Sequence, residues 1–563
     1  MGEYTVRFGL LALAATLLVG LGDARAQMPN GSRADPGRIE QRFTPQIPAE
    51  APEIPKISPI PAKPSVSLGK AVSFVLAAVD IEGATVYQPG ELAPIYEPYL
   101  AREIDRAGIQ RIIEAITAKY RADGYFLSRA EAPPQDLKLG VLHVNIVEGY
   151  IGDVTFEGIS ADQQAPLLGF ARHITEEHPA RLATIERYLL LMQDTPGTLA
   201  TPRLKAPNDG SGAYGLVVHI DHKSADTSFH LDNRGTSLVG PLQSWASVAL
   251  NGVLQEGART RATVATTPTD PRELKYVELS HDMAIRTEGT RLILDASLAE
   301  VRSAGSTAET DIKTDSRFLK ATVLHPIIRS RRQTLTAQVE FDDESSQQFT
   351  PQPSAYHDEL RVLRVGAIEQ IADGWNGLNL FNVEISQGID GLGASGPGQS
   401  NVSRTGGRDD FTKVNVVAAR RQVLWGDWAT LLTVAAQRSN SPLFLAEQFG
   451  LGGDRFGRAF DPSEITGDDG EAVSAELQDT RDTGYAIMPW VQGFLYVDGG
   501  ETSFHSIGSP GRQDVASTGG GVRLHIYRHY SGEFLVAFPL TQNITNGNPH
   551  KGNSFYFGLN ANF

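Results

Sequence analysis

The 563 residues carry 66 acidic against 50 basic side chains, a formal net charge of −16, and no cysteine. The missing cysteine excludes disulfide scaffolds, thiolate-ligated zinc, iron–sulfur clusters and thiol nucleophiles. The net acidity argues against a nucleic-acid binder, which needs clustered Lys and Arg. Hydrophobic residues at 41% and 56 glycines, with many Tyr and Phe, favour a folded, turn-rich β protein over a helical bundle.

The N-terminus reads as an export signal over 1–26. Arg7 precedes an apolar run from Phe8 to Leu21, which leads to Ala24-Arg25-Ala26 before Gln27. This is the basic, apolar and small-residue order of a secretory signal. The other reading is an uncleaved anchor or a buried helix. No later stretch approaches the ~20 apolar residues of a spanning helix, so a membrane crossing would use strands. Within 27–71, Asp35 to Phe43 could form a short helix, with Asp35 as N-cap and Pro36 at N1, or remain a tail. Pro45, Pro48, Pro52, Pro55, Pro59, Pro61 and Pro64 then predict an extended linker, because proline fixes φ and lacks an N–H.

Two small α/β modules follow, over 72–149 and 150–223. In the first, Phe74, Leu76, Val79 and Ile81 belong to a strand. Ile109, Ile112, Ile113, Ile116 and Tyr120 form one helical stripe, which Gly124 stops. Tyr125 to Arg129 and the alternating Leu142-His143-Val144-Asn145-Ile146 read as strands. The second repeats the pattern, with a strand at Ile151 to Phe156, a helix at Thr184 to Met192, a break at Thr195-Pro196-Gly197 and a strand at Tyr214 to His219.

From 224 to 563 no long helical period survives and alternating segments recur. Leu335, Ala337, Val339 and Phe341 share one face, against Thr334, Thr336, Gln338 and Glu340. Leu292, Leu294, Ala296 and Leu298 alternate with Ile293, Asp295 and Ser297; Phe381, Val383 and Ile385 alternate with Asn382, Glu384 and Ser386. Roughly 16 such strands at ~21 residues each suit a transmembrane barrel. A soluble sandwich also alternates, but polar faces carrying Glu340, Glu384, Asp295 and Arg261 suit a wet lumen. Closure pairs every backbone group, as the bilayer demands. The predicted fold is an all-β transmembrane barrel of about 16 antiparallel strands after two α+β modules.

Enzymatic motifs are missing: no Walker A, H-E-x-x-H or G-x-S-x-G pattern occurs, and Gly393-Ala394-Ser395-Gly396-Pro397 fails at its last position. No enzyme activity, cofactor or metal is expected. Asp468-Asp469 and Asp409-Asp410 could attract Ca²⁺, but surface solvation is the expected state.

An ordered set of strings gives the chain a family likeness. They are Tyr120-Arg121-Ala122-Asp123-Gly124-Tyr125, Pro134-Gln135-Asp136-Leu137 and Val147-Glu148-Gly149 in the first module, and Leu189-Leu190-Leu191-Met192-Gln193-Asp194-Thr195-Pro196-Gly197 in the second. Beyond them come Asp232-Asn233-Arg234-Gly235, Phe449-Gly450-Leu451-Gly452-Gly453, Arg458-Ala459-Phe460 and Gly493-Phe494-Leu495-Tyr496-Val497-Asp498-Gly499. The chain resembles the two-partner secretion transporters of the haemolysin-activator and filamentous-haemagglutinin-exporter type, within the outer-membrane insertase superfamily. The resemblance implies a plug helix, a linker, two periplasmic POTRA domains and a 16-strand barrel. It also implies export of a large unfolded partner, whether adhesin, cytolysin or contact-dependent toxin. Outer-membrane lipid and the barrel-assembly machinery are the other implied partners, and Phe557 and the terminal Phe563 the assembly signal.

On this likeness, Gly452, Gly453, Arg458 and Phe460 belong to a signature loop folded back into the lumen, the sixth extracellular one. Asp498 on strand 13 and Glu476 on strand 12 are the candidate acids. A guanidinium in a partly dehydrated lumen needs a carboxylate, and its planar fork can bind one at two points. The bland alternative is a solvated loop arginine. The family usually has glycine where Ala459 stands, so either the turn is less strained here or Gly457 takes the flexible role. The modules are expected to capture the partner by strand addition, or else to act as rigid spacers. Rival functions are an insertase for other barrel proteins and a passive porin.

Overall fold

The computed structural model describes residues 73–207, 211–236, 239–303, 312–349, 356–396, 398–505, 511–541 and 552–563. The expected export signal, the helix at Asp35 to Phe43 and the Pro-rich linker lie outside these residues.

The first module comprises β1 (Phe74–Val75), β2 (Ala78–Glu82), α1 (Pro89–Tyr96), β3 (Glu103–Ile104), α2 (Arg106–Ala122), β4 (Arg129–Glu131) and β5 (Val141–Val147). Asp105 caps α2 by accepting the Gly108 N–H at 2.8 Å. The stripe Ile109, Ile112, Ile113, Ile116 and Tyr120 is fully buried against Leu142 and Val144 of β5. Phe74 and Val79 fall on two short strands with a break between them. Residues 125–128 form a turn, in which the Ser128 N–H donates to the Tyr125 carbonyl, and the strand starts only at Arg129. Helix α1 was not legible because Pro94 sits inside it, although Pro89 stands at its first position, where proline is favoured.

The second module comprises β6 (Tyr150–Glu157), α3 (Ala161–Glu176), α4 (Leu182–Gln193), β7 (Thr198–Lys205) and β8 (Ala213–His222). Helix α3 escaped the periodicity reading because Pro166 and Gly169 interrupt it, although a Ser160/Gln163 capping box opens it. Each module has a three-stranded sheet, in the orders β2-β5-β4 and β6-β8-β7, and the first adds a short antiparallel pair, β1-β3. Gly149 marks the join. A Cβ there would stand 2.5 Å from the Leu127 carbonyl oxygen, and Arg181 Nη2 of the second module donates to Tyr125 Oη of the first at 2.7 Å.

The barrel strands in order are β9 (Ala225–Asp232), β10 (Gln243–Asn251), β11 (Arg259–Thr266), β12 (Leu274–Ala284), β13 (Arg291–Arg302), β14 (Lys313–Arg329), β15 (Gln333–Phe349), β16 (Tyr356–Ala372), β17 (Gly377–Gly388), β18 (Thr412–Trp425) and β19 (Trp428–Ser439). After a long connection holding the small hairpin β20 (Phe449–Leu451) and β21 (Ile465–Gly467), they resume as β22 (Asp469–Tyr485), β23 (Met488–Ser503), β24 (Gln513–Ile526), β25 (Tyr530–Pro539) and β26 (Ser554–Asn562). The hairpin lies outside the ladder, so the closed antiparallel barrel has sixteen strands, with β26 paired to β9. Phe381, Val383 and Ile385 stay 45%, 43% and 50% exposed on the outer wall. Their neighbours Asn382, Glu384 and Ser386 point inwards. The apolar faces therefore meet the surroundings, the reverse of a soluble sandwich.

The closing seam ends on the last residue, where the Phe563 N–H donates to the Thr227 carbonyl at 2.8 Å. The Asn233 side chain extends the seam by donating to the Phe555 carbonyl at 2.9 Å and accepting the Phe557 N–H at 2.7 Å. The Phe563 ring stacks on His529.

The second module docks on the barrel turns at one end. Arg329 clasps the Asp194 carboxylate through Nε at 2.8 Å and Nη2 at 2.7 Å. Arg187 donates to the Pro326 carbonyl at 3.0 Å, and the Arg331 N–H donates to Glu186 at 2.7 Å. Gly197, at φ +72°, lets the chain pass so close that a Cβ would stand 2.3 Å from the Lys223 carbonyl oxygen. The string ending Asp194-Thr195-Pro196-Gly197 is thus the joint between module and barrel.

Candidate functional site

The connection from β19 to β22 folds back into the lumen. Its stem pairs Phe449 with Gly467 and Leu451 with Ile465. Its tip packs Phe456, Ala459 and Phe460 against Phe494, Tyr496, Val515, Leu535 and Tyr556 of the inner wall. Burying this apolar tip favours the folded-back state before any charge is considered.

Gly452 and Gly453 adopt φ of +110° and +104°, and a Cβ on Gly452 would lie 2.0 Å from the Asp461 carbonyl oxygen. The Gly452 N–H donates to Phe456 O at 3.0 Å and the Gly453 N–H to Phe460 O at 3.1 Å, which folds the tip on itself. Ahead of Arg458, Gly457 takes φ +70°, whereas Ala459 is not among the left-handed residues. Gly457 therefore supplies the flexibility, and a methyl group fits at Ala459.

Arg458, Glu476 and Asp498 converge, with 8%, 3% and 1% exposure. Arg458 Nη1 donates to Glu476 Oε2 at 2.7 Å and Nη2 to Ser474 Oγ at 3.1 Å, while Nε lies 3.3 Å from Asp498 Oδ2. The two-point fork expected of Arg458 on one carboxylate is split between two. Asp498 Oδ1 accepts the N–H groups of Gly457 at 3.0 Å and Arg458 at 3.4 Å, and the Ser517 hydroxyl at 2.5 Å. One acid thus holds the side chain and the other the loop backbone. The Arg458 guanidinium also lies 4.3 Å over the Tyr496 ring.

Several partners were not legible from the sequence. Arg523 makes the two-point fork on Glu476, with Nη1 to Oε1 at 2.5 Å and Nη2 to Oε2 at 3.2 Å. Its Nε donates to Glu533 at 2.8 Å, and Glu533 also accepts from Arg234 at 3.0 Å. The chain Arg458–Glu476–Arg523–Glu533–Arg234 links the loop tip to the start of the barrel and alternates in charge throughout. One signal was available in Gly519-Gly520-Gly521, since glycines inside a strand mark a close approach. A Cβ at Gly519 would stand 2.8 Å from the Tyr496 ring, and one at Gly521 2.7 Å from the Phe494 ring. The inner wall is hollowed for the two rings that carry Arg458 and Arg523.

One expectation is corrected. Asp468 is not solvated but fully buried, accepting the N–H groups of Leu443 at 2.8 Å and His505 at 2.9 Å and pairing with Arg404. It closes the base of the stem, a role the run of two acids could not reveal. Asp409 is buried as well. Among the described residues no group of three or more His, Asp or Glu side chains is arranged to hold a metal.

Comparison with known proteins points one way. Residues 74–149 match the ShlB-type POTRA domain, and residues 216–524 match the haemolysin secretion/activation protein ShlB/FhaC/HecB. The heme/hemopexin transporter protein HuxB of Haemophilus influenzae is 22% identical over 473 residues, 82% of either chain. In structure, CdiB from Escherichia coli aligns with a TM-score of 0.75 at 18% identity, covering 96% of this chain and 100% of that one. CdiB from Acinetobacter baumannii aligns at 0.61 and 14% identity, covering 99% and 97%.

Proposed function

We propose, on the premise that this chain belongs to the ShlB/FhaC/HecB family of haemolysin secretion/activation proteins, that the loop carrying Arg458 closes the pore at rest and leaves the wall when a partner passes. The protein is a two-partner secretion transporter of the outer membrane, with POTRA domains in the periplasm and a barrel through which a secreted exoprotein partner leaves. What supports the closing role is the buried contact of Arg458 with Glu476 and Asp498 inside a closed barrel.

The cargo on this reading is a large unfolded exoprotein of the adhesin, cytolysin or contact-dependent toxin class. It is captured by strand addition. In the three-stranded sheets the unpaired edges are β2 and β4 in the first module and β6 and β7 in the second, while the two-residue strands β1 and β3 pair separately. Strand β4 has three residues, and Pro202 removes a donor from β7. That leaves β2 and the eight-residue β6 as the receiving edges. The chain hydrolyses no nucleotide; folding of the emerged partner outside supplies the direction. Outer-membrane lipid surrounds the apolar wall, and the barrel-assembly machinery inserts the barrel, reading Phe563 and Phe557 at the seam.

Depletion tests the reading. Loss of one large protein from the medium, with other outer-membrane barrels at normal abundance, is the expected result. A general fall in barrel proteins would instead assign an insertase.

A further inference from the structure

The loop that carries Arg458 has a second charged anchor of opposite sign. Glu447 lies just before the stem, in a short 3-10 turn over Leu445–Glu447, and is 3% exposed. Its Oε1 accepts from Arg364 Nη2 at 2.7 Å and its Oε2 from Arg364 Nη1 at 3.3 Å. Lys413 Nζ reaches Oε2 at 2.6 Å and the Glu447 carbonyl at 3.0 Å, and Gln437 donates to that same carbonyl at 3.0 Å. At the tip the loop brings the cation and the wall the acids; at the base the loop brings the acid and the wall the cations.

The two anchors sit on different walls and at different depths. Arg364 is on β16 and Lys413 on β18, and both pair in register with Ser386 near the far end of β17. Lys413 also pairs with Ser439, the last residue of β19. The tip anchor uses β22 and β23, where Ser474 and Glu476 pair with Thr433 and Leu431, further towards the periplasmic end. Arg364 keeps a second carboxylate, Asp342, at 2.5 Å. For Lys413, Glu447 supplies the one carboxylate within ion-pair distance among the described residues. Withdrawing the loop would take from Lys413 both the Glu447 carboxylate and the Glu447 carbonyl.

We infer that Glu447, Arg364 and Lys413 form a second latch, of reversed polarity, and that the loop leaves the lumen only when both latches open. These are positioning residues acting through the loop, and the inference rests on the reading that this loop closes the pore. Two anchors acting independently on one equilibrium multiply: removing either raises the loop-out population about tenfold, and removing both about a hundredfold.

The test uses the full chain reconstituted in lipid vesicles, with a single reporter thiol, Ala459→Cys, in a protein that has no other cysteine. Ala459 is fully buried under the tip, so its rate of reaction with a maleimide tracks the loop-out population. Arg458→Ala, Glu447→Gln and their combination are compared, each checked for a folded barrel by heat-modifiable mobility. The expected result is a multiplied rate in the combination. Glu447→Asp, which keeps a carboxylate between Arg364 and Lys413, should react more slowly than Glu447→Gln. A combination no faster than Arg458→Ala alone would overturn the second latch, as would Glu447→Asp as fast as Glu447→Gln. Secretion is scored separately. Multiplied rates without any exported partner would sink the export reading and leave the latch standing.

Discussion

Asp498 grips the backbone of Gly457: its Oδ1 accepts the Gly457 N–H at 3.0 Å, while its Oδ2 lies 3.3 Å from Arg458 Nε. The acid therefore does two jobs that substitutions can separate. Asp498→Asn keeps an oxygen for the N–H groups but loses the charge. Asp498→Ala also leaves the Gly457 and Arg458 N–H groups and the Ser517 hydroxyl unpaired in a buried site. The alanine variant should lose more loop anchoring, by about 1–3 kcal/mol beyond the asparagine one. External trypsin cleavage at the neighbouring Arg455 reports it; equal cleavage of the two variants would refute the backbone role.

Gly452 and Ala459 make opposite predictions. Gly452→Ala puts a Cβ against the Asp461 carbonyl at φ +110°, a backbone conflict costing about 1–3 kcal/mol. Entry of a large hydrophilic antibiotic into cells should rise. Ala459→Gly, which restores the usual family residue, relieves no strain, and the pore should stay closed. Leakage from Ala459→Gly as large as that from Gly452→Ala would show that the strain is misplaced.

The module–barrel joint depends on Arg329. Its fork on Asp194 is half-exposed on the acid side, so Arg329→Ala should weaken docking by only about 1–2 kcal/mol. Combining it with Arg187→Ala removes the contact to Pro326 as well. Hydrogen exchange over 182–193 should accelerate in the double variant while the barrel strands stay protected. Unchanged exchange would mean that apolar packing around Leu191 and Pro326 carries the joint.

Glu148 makes the first module pH-sensitive. Burial alone would raise its pKa, but hydrogen bonds from the Thr85 and Tyr120 hydroxyls and from the N–H groups of Thr85 and Val86 outweigh it and hold the carboxyl below its usual range. A carboxylate depressed by folding contributes stability above its unfolded pKa, about 4.3, and loses it as pH falls through the folded value. Exchange protection at the Thr85 and Val86 amides should be flat from neutral pH to about pH 5 and drop below pH ~4. Glu148→Gln should show reduced protection at every pH.

The sequence was most legible where one physical rule acts alone. Alternation along Thr334 to Phe341 fixed which side chains face out, because a strand has period two. The Ile109 to Tyr120 stripe marked α2 for the corresponding helical reason. Helices α1 and α3 were hidden by internal prolines, which local rules read as breaks and packing overrides. Arg458, Glu476 and Asp498 were found through family strings, since nothing local distinguishes a latch arginine from a solvated one.

What the chain order could determine by itself was the class of the molecule: an outward apolar face on each strand, and two modules before the first strand. Which charges meet was decided only in three dimensions. Arg523 and Glu476 stand 47 positions apart in sequence, and Glu447 and Arg364 stand 83 apart, yet each pair is in direct contact. Barrel closure and the fold-back of one loop create those neighbours. Burial then turns them from solvated charges into obligatory partners, because an ion inside the wall cannot shed its counterion without a large desolvation cost.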